Sequence, residues 1–176
     1  MQTSQPDKSL LKKEIIQEFK IYDGDHNKTV DRKEFMETLK KRASHYKNVD
    51  FEKLKFMMDK YDDNFDDVLS FKEFAKMYVN ILDNMILHTF LKYSRGSETL
   101  PYQRLQLALN ETNLLLDNSD ANKIQTYGKL EWTIADFRSY RLFREPGCIS
   151  DSECNIESMK KETRNYLSEV DYSKFT

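Results

Sequence analysis

The chain has 176 residues, 39% hydrophobic and 33% charged, and its 28 basic and 30 acidic groups leave a formal charge of only −2. A charge-dense surface without a net sign lacks the electrostatic footprint of a nucleic-acid binder. Four Gly and three Pro are too few for a turn-rich β-sandwich, and no stretch approaches the ~18 apolar residues of a membrane span.

The reading along the chain is helical. Met1 to Lys8 is a polar tail with no apolar signal region, and Gln2 is not the Gly that N-myristoylation requires, so a cytoplasmic protein without an anchor is expected. From Leu10 to Tyr22 the apolar residues Leu11, Ile15, Phe19 and Tyr22 fall on one helix face, with Ser9 as N-cap. An oxygen-rich stretch, Asp23 to Val30, interrupts the helix. Helix resumes at Asp31-Arg32-Lys33-Glu34, which has the form of a capping box, and Phe35, Met36 and Leu39 continue the apolar face up to the basic, polar run Lys40 to Asn48.

The same arrangement then repeats. Phe51, Leu54, Met58 and Tyr61 form the stripe, Asp62 to Leu69 the oxygen-rich stretch, and Ser70-Phe71-Lys72-Glu73 the second capping box. Aligning Asp23 with Asp62 gives a period of 39 residues and puts Tyr22/Tyr61, Val30/Leu69, Glu34/Glu73 and Phe35/Phe74 in register. The repeating unit is helix–loop–helix.

A hard divalent cation takes six to eight oxygens, and a twelve-residue loop supplies them from positions 1, 3, 5, 7, 9 and 12. In the first loop these are Asp23, Asp25, Asn27, the carbonyl of Thr29, Asp31 and Glu34; in the second, Asp62, Asn64, Asp66, the carbonyl of Val68, Ser70 and Glu73. Glutamate at position 12 can bind through both oxygens, which raises the coordination number to what Ca²⁺ prefers and Mg²⁺ resists. Val30 and Leu69 at position 8 are expected to pair the two loops as short strands. Both segments resemble EF-hand calcium-binding motifs, and the pair is similar to one lobe of a calmodulin-type protein. The resemblance implies an all-α fold and two Ca²⁺ sites. Position 6, where the family has Gly, holds Lys28 and Asp67.

The second half repeats the pattern weakly. Ile86, Phe90 and Tyr93 end a helical stripe, and Leu100-Pro101 followed by Leu105 matches Val30-Asp31 followed by Phe35, but the intervening Ser94 to Thr99 is one residue short and has one carboxylate. Trp132 to Phe137 reproduces strand, cap and position-12 acid, yet counting back puts Gln125, Tyr127 and Lys129 at positions 1, 3 and 5. A frame beginning at Asp117 would end on Gly128 and is rejected. Residues 83–145 are thus expected to resemble an EF-hand pair without metal sites, after a metal-binding pair at 9–82. Residues 146–176 are expected to form a tail with a helix from Ser152 to Glu169, and Cys148 and Cys154 to remain unpaired.

Histidines at 26, 45 and 88 are scattered and no catalytic motif appears, so an enzyme is not expected. Residues 1–82 carry 16 basic and 16 acidic groups, so two Ca²⁺ would leave this lobe positive and favour an acidic surface or a target helix as partner. Four of the seven Met residues, Met36, Met57, Met58 and Met77, lie on its helices, which fits a calcium sensor that opens a groove. A sarcoplasmic-type buffer and a subunit docked constitutively through the second half are the alternatives, and a monomer is expected.

Overall fold

The computed structural model describes residues 9–42, 54–114, 116–152 and 154. The polar tail, most of the basic run after Lys41, Phe51 and nearly all of the expected Ser152–Glu169 helix lie outside the described residues. In chain order the elements are α1 (Ser9–Tyr22), β1 (Val30–Asp31), α2 (Arg32–Lys41), α3 (Met57–Tyr61), β2 (Val68–Leu69) and α4 (Phe71–Ser94). There follow β3 (Leu100–Pro101), α5 (Tyr102–Glu111), α6 (Asn118–Thr126), β4 (Glu131–Trp132) and α7 (Ile134–Phe143). Ser9 is itself helical, so the cap position of α1 falls outside the described residues.

Local sequence explains most starts and stops. Asp31 and Ser70 each cap the helix they precede, accepting a hydrogen bond from the backbone of Glu34 and Glu73, whose side chains bond back to the cap N–H. Asp117 with Asp120 and Thr133 with Asp136 do the same for α6 and α7. The cap at Asp117 is the physical reason that this aspartate does not open a metal loop. α4 and α7 end on Arg95 and Arg144, both in the left-handed conformation.

Two antiparallel two-stranded ladders tie the loops in pairs. Val30 faces Leu69 in one, as the repeat requires, and Leu100 faces Trp132 in the other. The second half therefore has the same helix–loop–strand–helix layout twice over. α4 runs unbroken for 24 residues, so it leaves the second loop and enters the third as one rod, and the 82/83 position lies within it. No helix among the described residues is long and apolar enough to cross a membrane.

The stripes read from the sequence face a common interior. Ile15, Phe19, Tyr22, Phe35, Leu39, Leu54 and Met58 are buried, as is Met57, which falls off the expected stripe. Phe74 sits at the centre of the first pair, with its ring 5.3 Å from those of Phe19 and Tyr22 and 6.2 Å from that of Tyr78. In the second pair Trp132, Tyr127 and Tyr140 meet edge to face. These clusters belong to one continuous core. α1 packs on α7 and α4 on α7, and the seam carries two ion pairs, Glu14 with Arg141 and Asp83 with Arg138.

Candidate metal centre

Each of the first two loops folds around its first aspartate. Asp23 accepts hydrogen bonds from the N–H groups of Asn27 (3.1 Å) and Lys28 (2.9 Å), and Asp62 from those of Asp66 (3.2 Å) and Asp67 (2.9 Å). The bonds fall at the same two loop positions, so the backbones close alike. That closure requires positive φ at position 6, where Lys28 has 70° and Asp67 62°, and also at position 4, where His26 has 58° and Phe65 56°. The position-6 strain was legible in the sequence. Position 4 was missed, since His and Phe give no signal of a left-handed residue.

The position-12 glutamates reach across their loops. Glu34 accepts from the N–H of Asp31 on one oxygen (3.1 Å) and of Asp25 on the other (3.2 Å), while Glu73 accepts from Ser70 (2.9 Å) and Asp63 (2.7 Å). Asp31 and Ser70, at position 9, are held by the N–H of Glu34 (2.7 Å) and Glu73 (3.2 Å). Asn27 accepts from Thr29 through both its N–H and its hydroxyl, and Asp66 from the N–H of Val68. Thr29 directly precedes β1 and Val68 opens β2.

In the first loop Asp23, Asp25 and Glu34 each bring a carboxylate oxygen to within 4.8 Å of the other two. Among the described residues no other acidic group converges so closely. In the second loop position 3 is Asn64, whose amide donates to Asp66 (3.1 Å), so an amide stands where the first loop has its third converging carboxylate, Asp25. Asp23 and Asp62 are only 5% exposed, and among the described residues neither has a basic partner. Burial pushes the Asp62 carboxyl above its usual range, against the opposing N–H bonds from Asp67 and Asp66. Asp66 is held below its usual range because hydrogen bonds from the Val68 N–H and the Asn64 amide outweigh its desolvation. A buried acid without a counter-ion is satisfied by a bound cation, and the donors here are all hard oxygen.

Arg32 joins the two hands, a link that sequence reading missed. Its guanidinium lies 2.5 Å from Asp59 on α3 and 3.6 Å from Asp67 in the second loop. A second clasp, between Glu18 on α1 and Arg42 after α2, spans the helices that enter and leave the first loop. It is imperfect, since Glu18 Oε2 and Arg42 Nε are buried without a partner.

The third and fourth loops hold the protein's own cations. Arg104 stands four residues after Leu100, where Glu34 and Glu73 stand relative to Val30 and Leu69, and it donates to the Tyr93 carbonyl at 2.9 Å. In the fourth, the Lys129 ammonium at position 5 lies 3.2 Å from Asp136 at position 12. Ser94 and Gln125, counted as first positions, lie inside α4 and α6. Neither loop offers a converging set of carboxylates.

Paired helix–loop–helix units joined by a two-stranded ladder, with oxygen-lined twelve-residue loops, define a metal-binding class of protein. Residues 12–79 match the family model of an EF-hand domain pair. That stretch is similar to an EF-hand domain pair, a likeness that implies calcium as its ion. No curated protein gives a significant match to the chain.

Proposed function

We propose that the protein binds two Ca²⁺ ions, one through Asp23, Asp25, Asn27, the Thr29 carbonyl, Asp31 and Glu34, the other through Asp62, Asn64, Asp66, the Val68 carbonyl, Ser70 and Glu73. One observation carries this reading. Both first-position aspartates are buried and among the described residues neither has a basic partner, and a divalent cation supplies the missing charge. Calorimetric titration of the full chain tests it. Two sites are expected, with Glu34→Gln and Glu73→Gln each removing one; more than two, or a variant that leaves the stoichiometry at two, sinks the assignment.

The protein acts as a calcium sensor in the cytoplasm, as a monomer without enzymatic activity, and its target is a protein helix or an acidic surface. Support comes from Met57, Met58 and Met77, at most 2% exposed, and from the imperfect Glu18–Arg42 clasp across the first hand, which a movement of α1 against α2 would release. On Ca²⁺ addition a hydrophobic dye should gain fluorescence; an unchanged signal selects the buffer reading instead. The buffer has one observation in its favour: the single core and the buried Glu14–Arg141 pair tie α1 to α7.

A further inference from the structure

Two openings flank the first turns of α1. Between α1 and the start of α4 lies an apolar cavity of about 450 Å³, walled by Leu11, Ile15, Phe71 and Ala75. Between α1 and α7 lies one of about 280 Å³ whose charged walls are Lys13, Glu14, Arg141 and Arg144. Leu11 lines both, so the two openings adjoin on either side of this residue. Leu10 and Phe71 at their rims are 45% and 37% exposed.

Among the described residues the walls of the second cavity carry more basic than acidic groups. Its one carboxylate, Glu14, is engaged by Arg141, whose Nη2 and Nη1 lie 2.9 and 3.5 Å from the two oxygens, while Nε donates to the Thr112 carbonyl at 2.8 Å. Arg141 and Glu14 are thus paired with each other. Lys13 and Arg144 are left without a counter-ion among the described residues. Arg144 Nη1 is shielded from water and has no acceptor. Burial, reinforced by the charge of Arg141, holds the Arg144 guanidinium below its usual range, against the opposing pull of Tyr140, Asp120 and Glu14.

We propose that this surface docks an acidic, partly apolar peptide segment of a partner protein, with a carboxylate on Arg144 and Lys13 and apolar side chains against Leu11, Ile15, Phe71 and Ala75. Charge complementarity sets the sign of the partner. The adjoining apolar cavity is the larger of the two, and a small inorganic anion would leave it unfilled. The inference rests on the acidic-target reading and gives that target a place. Phe71 stands at position 10 of the second loop, but no proposed calcium ligand lines either opening, so failure of this proposal would leave the calcium reading intact.

The test is fluorescence anisotropy of the full-length protein with a labelled twelve-residue peptide of alternating Glu and Leu, beside the same peptide with Gln for Glu. The acidic peptide should bind, more weakly as salt is raised, and its Gln counterpart about tenfold less well. Arg144→Gln should weaken binding about tenfold, as expected for loss of a charged hydrogen bond, with Arg144→Lys intermediate. Ala75→Glu, which puts a like charge in the apolar half, should weaken it comparably. An unchanged calcium titration in each variant verifies the fold. Absence of binding, or binding indifferent to Arg144→Gln, overturns the proposal. So does displacement by inorganic phosphate combined with indifference to Ala75→Glu, which would mean a simple anion site.

Discussion

Lys28 and Phe65 show what the loops demand of single residues. Outside Gly, a left-handed residue costs roughly 1–2 kcal/mol, and the first two loops contain four of them. Lys28→Gly should tighten the first site about fivefold, the equivalent of ~1 kcal/mol, read as a change in one calorimetric affinity and not the other. Phe65 is 86% exposed, so its ring adds nothing to the core, and nothing in the structure explains why an aromatic residue stands there. Glu18 offers a pH test. Burial, followed by the nearby charge of Glu14, raises its carboxyl above the ordinary 4.5 despite the opposing Arg42. A raised acid binds its proton more tightly when folded. Its stabilising contribution is therefore complete below pH 4.5 and is lost as pH rises through the raised folded value. Thermal melts from pH 4 to 7 should show this falling component in the native chain and a flatter profile in Glu18→Gln.

At the scale of elements, helix starts were the most legible feature, because a capping box is local chemistry read from four consecutive residues. Asp31/Glu34 and Ser70/Glu73 were read as written and close as expected. Ser70→Ala should cost about 1 kcal/mol, seen as a lower melting temperature, and should also disturb calcium binding, since Ser70 serves both cap and loop. The fourth loop illustrates the opposite case. The absence of carboxylates at its first positions was visible, but the sequence did not say that Lys129 would close the loop on Asp136. Asp136 is 13% exposed on its side chain and Lys129 43%, so Lys129→Ala should lower stability by about 1 kcal/mol or less while adding no calcium to the titration.

For the whole molecule the decisive contacts are the long-range ones across the seam. Arg141 is 2% exposed and reaches Glu14, 127 residues away, as well as the buried Thr112 carbonyl. Truncating it leaves the buried Thr112 carbonyl unmatched and strips the partly exposed Glu14 carboxylate of its partner. Arg141→Ala should therefore destabilise the fold by about 3–5 kcal/mol, which at ~2–4 °C per kcal/mol is roughly a 10 °C fall in melting temperature by calorimetry. Asp83 with Arg138 is the second such tie, bidentate at 2.8 and 2.9 Å. Burial raises the Asp83 carboxyl in spite of that partner.

What the amino-acid order determined by itself was the repeat of 39 residues, the two oxygen-lined loops, their capping boxes and the strand register Val30 to Leu69. All of these depend on residues a few positions apart or on a fixed period, where propensity and spacing act directly. Tertiary structure alone decided how closely the carboxylates of Asp23, Asp25 and Glu34 converge. It also decided that Arg32 bridges the two hands, that α4 serves both pairs, and that a basic opening flanks α1. Those outcomes turn on side-chain reach, burial and the loss of water between segments distant in the chain, and none of these has a signature in local sequence.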